Sequence, residues 1–567
     1  MWRTTALGPL VLAVVLSSTV AALTWASVHQ GNDNGLHLPI QRTRRGRWKR
    51  NGEMTDTGLG DVLDTTYTVL VKIGETLCPL IIDTGSADLW TASDGCQECS
   101  KYGVALYPQE SLSAVGQDVD LLYGDSRTGT HASGPIGTDT VGVAGLSVPD
   151  QYLAAIVDTN TSVLDTGSTG ILGLGFPPVS VIWRQLLASD LQGPVPTFLK
   201  RDINPNKQDD PNTLPSFEFL NSTSQSWKRQ DGPTPYASPI DSFSTIGPFV
   251  TRLVTLKLLS RPLVVTTLQR DTVSLSGNAG TLSLGALPYG LADEYLTWVP
   301  IRGYRPSEGG LPPSPEAPNE VYPLVWEIPI DDVYFDGVKL PRSPLSPSTI
   351  SLSALVDTGN SLIRGPQDIV GHIYALLGDS FDCSIPHNLS FQIGGVQFPV
   401  DPRDFAQPMP VRPGTVYADE AARCSPALAA TDPPRQGGFL YSWSLGDPFL
   451  KSVLVAFYYG NITHPSQDPP RVGLMSTVPS DAGSALEKAV ASAVNNGGIF
   501  PSASEPAPYA TPIELHTVPL ENVSPPMTQG PQWAYSSGAA GAGAAARGWT
   551  TSLILAVLVG VLGHLYR

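Results

Sequence analysis

The sequence predicts an all-β protein built from two related lobes that meet at a cleft. An apolar run leads into Asp83-Thr84-Gly85, and a second apolar run leads into Asp357-Thr358-Gly359. An apolar pair ending in glycine follows each copy at almost the same distance, with Gly173 90 residues after Asp83 and Gly446 89 residues after Asp357. Glycine and proline are abundant, at 55 and 53 residues, and long helical periodicity is scarce. The repeat therefore predicts two β-barrel-like lobes and two carboxylates brought together at their junction.

Individual elements are predicted from residue alternation. Runs at residues 67–74, 281–285, 295–300 and 325–330 are rich in β-branched and aromatic residues and predict strands. Glycine- or proline-containing turns separate these runs. The best short helices are predicted at residues 180–187 and 369–377.

Two more Asp-Thr-Gly triplets occur, and neither is predicted to belong to the pair. Asp56 follows polar residues in a glycine-rich start and indicates a loop. Asp165 lies in Asp-Thr-Gly-Ser, which is made of ordinary turn residues. No apolar pair ending in glycine follows Asp165 at the required distance. Asp83 and Asp357 remain as the predicted catalytic carboxylates.

Length and charge limit the class of protein. A chain of 567 residues is too long for one compact domain, and two lobes with tails fit it. The net charge of −17 argues against a nucleic-acid partner, which requires clustered cations. An acidic surface suits work at low pH, because protonation of carboxylates limits the build-up of positive charge. Simple solubility explains the same charge equally well.

The first 50 residues indicate targeting and processing. Residues 1–26 combine a basic start, an apolar run and small residues, which predicts a secretory signal peptide. Residues 27–50 form a short basic propeptide with dibasic cleavage sites at Arg44-Arg45 and Lys49-Arg50. The mature chain is expected to begin near Asn51.

Residues 477–567 indicate a tether to a membrane. Residues 477–546 are rich in Pro, Ser, Ala and Gly and predict a linker without a core. Small residues near Ser536 are followed by a spacer and then by the apolar tail at residues 547–567. This order is the pattern of a glycolipid-anchor signal. A short membrane-spanning tail is the alternative, although the apolar run is shorter than the roughly 20 residues that a span needs.

Sequons and cysteines agree with an oxidising, glycosylating compartment. Five Asn-x-Ser/Thr sites are present: Asn160, Asn221, Asn388, Asn461 and Asn522. Cys383 and Cys424 are predicted to pair within the second lobe, and Cys96–Cys99 to close a small loop. A redox-active or metal-binding role for Cys-x-x-Cys is the alternative, but no second Cys pair or His cluster accompanies it. Cys78 is left as a buried free thiol.

These motifs resemble the pepsin-like (A1) aspartic proteases of the fungal secreted type. The resemblance runs from about residue 59 to 477 and includes Gly170-Ile171-Leu172-Gly173-Leu174-Gly175-Phe176 and Trp443-Ser444-Leu445-Gly446-Asp447. It implies a bilobal pepsin-like fold with an N-terminal lobe at 51–245 and a C-terminal lobe at 246–476. Insertions at about 195–245 and 304–319 depart from the family and are expected to form surface loops. The layout with an anchor signal is similar to that of yapsin-type surface proteases.

The resemblance implies an aspartic endopeptidase in which Asp83 and Asp357 activate a water molecule. Thr84 and Thr358 resemble the paired hydroxyls that bridge the two Asp loops, and Gly85 and Gly359 let backbone N–H groups approach the carboxylates. Ser86 is expected to donate a hydrogen bond to the first Asp. Its counterpart is Asn360, where the family has Ser or Thr, and the amide is expected to donate in its place.

The flap is predicted at Tyr123-Gly124-Asp125, 40 residues after Asp83. By resemblance, Tyr123 closes over the substrate and hydrogen-bonds to Trp90 in the resting flap. Asp125, at the tip, is hypothesised to favour Lys or Arg beside the scissile bond.

The predicted partners are protein or peptide substrates and, through the tail or anchor, the outer face of the cell membrane; the chain is expected to be monomeric, without metal or cofactor. The alternative function is a catalytically inactive surface-binding protein, which Asn360 and the insertions favour. A wall-structural glycoprotein is a third reading, against which the intact lobes argue. A serine or metal hydrolase is disfavoured, because the eight His are scattered and His-Glu-x-x-His is absent.

Overall fold

A computed structural model describes most of the two predicted lobes. The described residues are 66–124, 129–190, 214, 217, 220, 238–268, 280–288, 290–378, 380–409 and 422–496, with the backbone of short strands before residue 66. The chain divides into units Met1–Thr528 and Gln529–Arg567, and every described residue lies in the first. The signal peptide, most of the propeptide and the tail lie outside the described residues. So do Asp125, Asn221 and Asn522.

The first lobe is one nine-stranded sheet that folds back on itself. Strand Thr130–Val143 is its longest and pairs with Ser113–Tyr123, Leu146–Ile156 and Tyr67–Ile73, which closes the sheet into a barrel-like body. The remaining strands are Gly60–Asp61, Thr76–Asp83, Leu89–Ala92, Asp158–Thr159 and Gly170–Gly173. Alternate residues of Tyr67–Ile73 are fully buried, as the period of two predicts.

A six-stranded sheet joins the beginning and the end of the folded chain. In spatial order its strands are Thr297–Pro300, Arg471–Ser476, Val453–Tyr458, Leu263–Thr267, Thr281–Leu284 and Thr55–Gly58. The last of these contains the Asp56-Thr57-Gly58 triplet, so the prediction of a loop there is wrong. Pairing with Thr281–Leu284, more than 200 residues away, makes this polar segment a strand.

The second lobe consists of smaller sheets. Its five-stranded sheet runs Glu327–Pro329, Ser353–Val356, Trp443–Leu445, Ile363–Pro366 and Leu428–Thr431. A four-stranded sheet contains Val338–Lys339, Asp332–Phe335, Leu389–Ile393 and Val396–Pro399. Phe381–Asp382, Arg423–Pro426 and Ala406–Pro408 form a third sheet, and Gly303–Tyr304 pairs with Tyr322–Pro323. Before the first lobe, His29–Gln30 pairs with Leu36–His37. The all-β, two-lobed fold is therefore confirmed.

Helices are few and short among the described residues. The α-helices are Val181–Asp190, Phe249–Thr255, Gln367–Leu377, Pro402–Phe405, Asp447–Leu450 and Ala482–Asn495. The two predicted helices are confirmed as Val181–Asp190 and Gln367–Leu377. The predicted strands at 295–300 and 325–330 are shorter than expected, at Thr297–Pro300 and Glu327–Pro329. No helix within the described ranges is long and apolar enough to cross a membrane.

The predicted boundary between the lobes falls too early. Helix Phe249–Thr255, assigned from sequence to the second lobe, packs against the first. Arg252 donates from Nη1 to the carbonyl of Asp150 at 2.8 Å, and Gln151 donates to the carbonyl of Gly247 at 3.2 Å. These contacts place the first-lobe boundary beyond residue 255.

The predicted linker also begins too early. Residues 482–495 form a helix in which Leu486, Val490 and Ala493 are buried in the main core. Three-to-four-residue spacing of these side chains makes one apolar face. Small alanines weaken that pattern in a Pro/Ser/Ala/Gly-rich segment, which is why the sequence indicated a linker. The folded body therefore extends to about residue 496.

The two insertions are not simply surface loops. Tyr304 is completely buried, and its hydroxyl donates to the carboxylate of Glu327, which is also buried. Leu311 is fully buried as well. Leu214, from the first insertion, packs in the same apolar cluster as Tyr304 and lies against Gly309. Both insertions thus contribute side chains to the core beside the second lobe.

The two lobes share a core of aromatic side chains. Phe176 of the first lobe stacks 4.6 Å from Trp326 of the second, measured between ring centroids. Trp326 donates from its indole to the carbonyl of Leu174 at 3.0 Å, and the Tyr459 hydroxyl donates to the same carbonyl at 2.5 Å. These bonds hold the segment that follows Gly173 against the second lobe.

Candidate active site

Equivalent strand pairs deliver Asp83 and Asp357 to the junction. Strand Thr76–Asp83 runs parallel to Gly170–Gly173, with Asp83 opposite Gly173. In the second lobe, Ser353–Val356 runs parallel to Trp443–Leu445, and Asp357 donates its backbone N–H to Leu445 at 3.1 Å. A β-carbon on Gly173 or Gly446 would lie within 2.4 Å of neighbouring backbone atoms. Only glycine therefore allows the two backbone segments to pass this close at both positions. The repeated glycine spacing in the sequence thus has a direct structural cause.

The two carboxylates lie against one another's loops. A β-carbon on Gly85 would be 2.6 Å from Oδ1 of Asp357, and one on Gly359 would be 2.5 Å from Oδ1 of Asp83. Each glycine therefore faces the carboxylate of the opposite lobe. Any larger residue at either position would force the carboxylates apart.

Thr84 and Thr358 join the lobes by a reciprocal set of hydrogen bonds. Each threonine hydroxyl accepts the backbone N–H of the other at 3.0 Å. Each hydroxyl also donates across the junction at 2.8 Å, Thr84 to the carbonyl of Val356 and Thr358 to that of Ile82. All four bonds are buried, where hydrogen bonds are costly to leave unmade. They hold the two Asp loops at a fixed separation.

The immediate surroundings of the two carboxylates differ. Asp83 accepts the N–H of Gly85 at 2.8 Å and the hydroxyl of Ser86 at 2.5 Å. Asp357 accepts the N–H of Gly359 at 3.0 Å. Asn360 donates its amide to the hydroxyl of Ser444 at 2.9 Å instead. The expectation that Asn360 substitutes for the hydroxyl donor on the second Asp is therefore wrong, because strand pairing offers its amide another acceptor.

Burial makes both carboxyls weaker acids, and the charge of Asp83 adds to this effect on Asp357. Burial raises the pKa of Asp83, against the opposing effect of the hydrogen bonds from Ser86 and Gly85. Burial, together with the charge of Asp83, raises the pKa of Asp357 to about 7. Donors to an ionised carboxylate favour that form, and Asp83 has more of them. The pair is therefore arranged to carry one proton between the two carboxyls.

Tyr123 ends strand Ser113–Tyr123 and contacts Trp90. The Trp90 indole donates to the Tyr123 hydroxyl at 2.7 Å, which is the contact predicted between these two residues. Burial and the negative charges of Asp88 and Asp83 raise the pKa of Tyr123 well above its usual value, so the phenol stays neutral. Gly124 follows with a φ of 94°, which starts the hairpin turn. Asp125, and with it the hypothesis about the flap tip, lies outside the described residues.

The structural role of Asp88 was not predicted from the sequence. Its buried carboxylate accepts the Ser180 hydroxyl at 2.5 Å and the N–H groups of Val181 and Ile182 at 2.8 and 3.1 Å, at the start of helix Val181–Asp190. Burial raises its pKa, and the charge of Arg184 opposes that rise. The sequence feature that points to this role is an acidic residue between two apolar ones, Ala87 and Leu89. Asp88 fixes the strand that presents Trp90.

Asp165 lies away from the two carboxylates, on an exposed 3₁₀ turn, Ser162–Thr166. The predicted disulfides Cys96–Cys99 and Cys383–Cys424 are both formed, and Cys78 is a buried free thiol.

Within the described ranges no group of three or more His, Cys, Asp and Glu side chains is arranged to hold a metal ion.

Comparison with known proteins agrees with this geometry. The family model described as eukaryotic aspartyl protease matches residues 66–190 and 239–464, more than half of the chain. The chain belongs to the eukaryotic aspartyl protease family. The aspartyl protease fold and the hydrolase class, an aspartic-type endopeptidase, follow from that membership.

Three relatives of this aspartyl protease are identical to it at about a quarter of the aligned positions. Cathepsin E-A of Xenopus laevis is 25% identical over 70% of this chain and 76% of its own length. Pepsin A of Sus scrofa is 24% identical over 72% of this chain and 82% of its own. Major aspartyl peptidase 1 of Cryptococcus neoformans var. grubii is 22% identical, covering 74% of this chain and 72% of its own.

Replacing Thr84 with valine is expected to lower the free energy of unfolding by about 1–3 kcal/mol, because the N–H of Thr358 and the carbonyl of Val356 lose buried partners. Thermal or denaturant unfolding measures the change. Thr266→Val is the matched control: its buried hydroxyl finds no partner in the part of the chain that the structure describes, so the same exchange should be neutral or stabilising. Equal losses in the two variants would show that the cross-lobe bonds contribute nothing specific.

Proposed function

We propose that this aspartyl protease is an active acid endopeptidase in which Asp83 and Asp357 together activate a water molecule. The observation that carries the proposal is the reciprocal approach of each Asp to the glycine of the opposite loop. That approach places two buried carboxyls where they cannot both ionise easily. A shared proton supplies one base and one acid at the same site.

In the proposed reaction, ionised Asp83 takes a proton from the water molecule. At the same time the water oxygen bonds to the carbonyl carbon of the peptide. Protonated Asp357 gives its proton to the carbonyl oxygen, so a neutral tetrahedral diol forms. The proton now on Asp83 then passes to the leaving nitrogen, the C–N bond breaks, and one hydroxyl proton of the diol returns to Asp357. Acid and amine products leave, and the dyad regains its starting proton count.

The assignment of the base to Asp83 is supported by its two donors, Gly85 and Ser86, against one on Asp357. Thr84 and Thr358 are proposed to keep the carboxyl groups aligned through their cross-lobe bonds. Tyr123 is proposed to close over the bound peptide with Gly124 as its turn. Asp125 is proposed, from the sequence alone, to favour Lys or Arg beside the scissile bond.

We further propose a secreted, glycosylated protein of fungal type that is tethered at the cell surface. Sequons Asn160 and Asn388 are exposed, as attachment of a glycan requires, and Asn461 is half-buried. The disulfides fit an oxidising compartment. The predicted signal peptide, basic propeptide and apolar tail support this route, with a glycolipid anchor preferred to a spanning tail.

The test is peptide cleavage at pH 4 by the full-length protein after removal of the propeptide, with products identified by mass spectrometry. We expect internal peptide bonds to be cut, and a statine-type inhibitor to block the cutting. A folded, correctly processed sample that cuts no peptide in a diverse library would contradict the proposal. That result would favour the second candidate, a surface-binding protein, which the turning of Asn360 away from Asp357 supports.

A further inference from the structure

Asn360 is held in a small polar cluster beside Asp357. Its amide nitrogen donates to the Ser444 hydroxyl at 2.9 Å. Its amide oxygen accepts the N–H of Leu362 at 3.3 Å and the Nε–H of Arg364 at 3.2 Å. Both ends of the amide are therefore in use within the second lobe. These bonds direct the Asn360 side chain away from Asp357, so Asp357 receives no hydrogen bond from it.

The sheet places Arg364 in this cluster. Arg364 is the second residue of strand Ile363–Pro366 and pairs directly with Ser444 of strand Trp443–Leu445. The same strand Trp443–Leu445 runs beside the one that ends at Asp357. Backbone register thus brings Asn360, Arg364 and Ser444 together, and the bond to Asn360 orients the guanidinium.

Ionisable groups on the elements around Asp357 act on its carboxyl. Asp83, across the junction, raises the pKa of Asp357, and the Arg364 guanidinium opposes that rise. Tyr441, just before strand Trp443–Leu445, is a neutral phenol whose own pKa is raised by burial and by the charges of Asp357 and Glu327. Arg364 is therefore a cation that favours the ionised form of Asp357.

We propose that Asn360 and Arg364 are positioning residues that set the upper pH limit of catalysis, with Asn360 holding the Arg364 guanidinium beside Asp357 in place of a hydroxyl bond. The inference rests on the proposed proteolysis, because that pH limit is where Asp357 loses the proton it must donate. Among the described residues, Asp357 accepts no hydroxyl bond of the kind that Ser86 donates to Asp83, so its ionised form has one stabilising donor fewer. The dyad therefore keeps its proton at a higher pH than a dyad with two hydroxyl donors.

Two substitutions should move the alkaline limb of the kcat/KM profile in opposite directions. Asn360→Thr supplies a hydroxyl to Asp357 and is expected to move the limb about one pH unit toward acid. Arg364→Gln removes the positive charge and should move it toward alkali by about half a unit or more. Arg364→Lys, which keeps the charge, should bring the limb back toward the wild-type position. A merely structural role would lower kcat or Tm in these variants and leave the limb in place, which would overturn the proposal.

A direct titration separates this inference from the activity itself. In full-length protein carrying ¹³C-labelled Asp carboxyls, the Asp357 signal is identified by its loss in Asp357→Asn. Its NMR titration midpoint should fall in Asn360→Thr and rise in Arg364→Gln. If the wild type cuts no peptide but these shifts occur, proteolysis is contradicted and the positioning pair stands. If the midpoint is the same in all three proteins, the pair does not control the acidity of Asp357.

Discussion

Replacing Asp83 with asparagine is expected to lower kcat/KM for peptide cleavage by about 10³- to 10⁴-fold, because an amide cannot take a proton from water. The amide keeps an oxygen for the Gly85 N–H and can donate to Ser86, so the local fold should survive. At pH 7 the variant should unfold at the wild-type Tm or above it. The raised pKa of Asp357 means that its protonated form stabilises the fold, and that contribution is lost as pH rises through about 7. Removing the Asp83 charge relieves part of this loss.

The sequence offers its own control for that experiment. Asp165→Asn makes the same chemical change in the same Asp-Thr-Gly-Ser context, but on an exposed turn outside the site. Its kcat/KM should equal that of the wild type within error. Comparable activity in both variants would remove Asp83 from the proposed reaction. Comparable inactivity would indicate that the assay measures folding or processing.

Replacing Gly359 with alanine is expected to lower kcat/KM by about 10²-fold or more. The new β-carbon would lie 2.5 Å from Oδ1 of Asp83, closer than any unstrained contact. The loop or the carboxylate must move by a large fraction of an ångström, and misplacement by about 1 Å can cost a factor of about 10². The change touches no acid or base directly, so the loss would measure how strongly the reaction depends on the carboxylate separation.

Gly371→Ala provides the matched comparison in the same lobe. Gly371 is exposed in the middle of helix Gln367–Leu377, with nothing within 4 Å of the added carbon. The exchange should leave kcat/KM unchanged and stabilise the protein by about 0.5–1 kcal/mol. An active Gly359→Ala enzyme with wild-type kcat/KM would show that the close approach of the two loops is not required.

The contacts predictable from sequence are those built by residues close in the chain or by the internal repeat. Asp83, Gly85 and Ser86 interact within one turn, and family resemblance implied that Thr84 and Thr358 meet. The flap contact between Tyr123 and Trp90 followed from family resemblance. Each of these depends on local geometry or on a motif shared with the family.

The features that escaped prediction depend on distant partners. The direction of Asn360 is decided by Ser444, which reaches it only through strand pairing. Thr55–Gly58 is a strand because Thr281–Leu284 lies beside it. The helix Ala482–Asn495 uses alanines among its buried residues, so its apolar face is faint in the sequence. A sequence motif names the groups present, and the strand register decides which of them meet.

The dependence of kcat/KM on pH between 3 and 9, measured on the wild-type protein, tests the shared-proton dyad most directly. The account predicts a bell whose acid limb reports protonation of the base and whose alkaline limb, near pH 7, reports loss of the proton from Asp357. A rate that continues to rise above pH 8 would mean that no carboxyl proton is needed, and would contradict the mechanism.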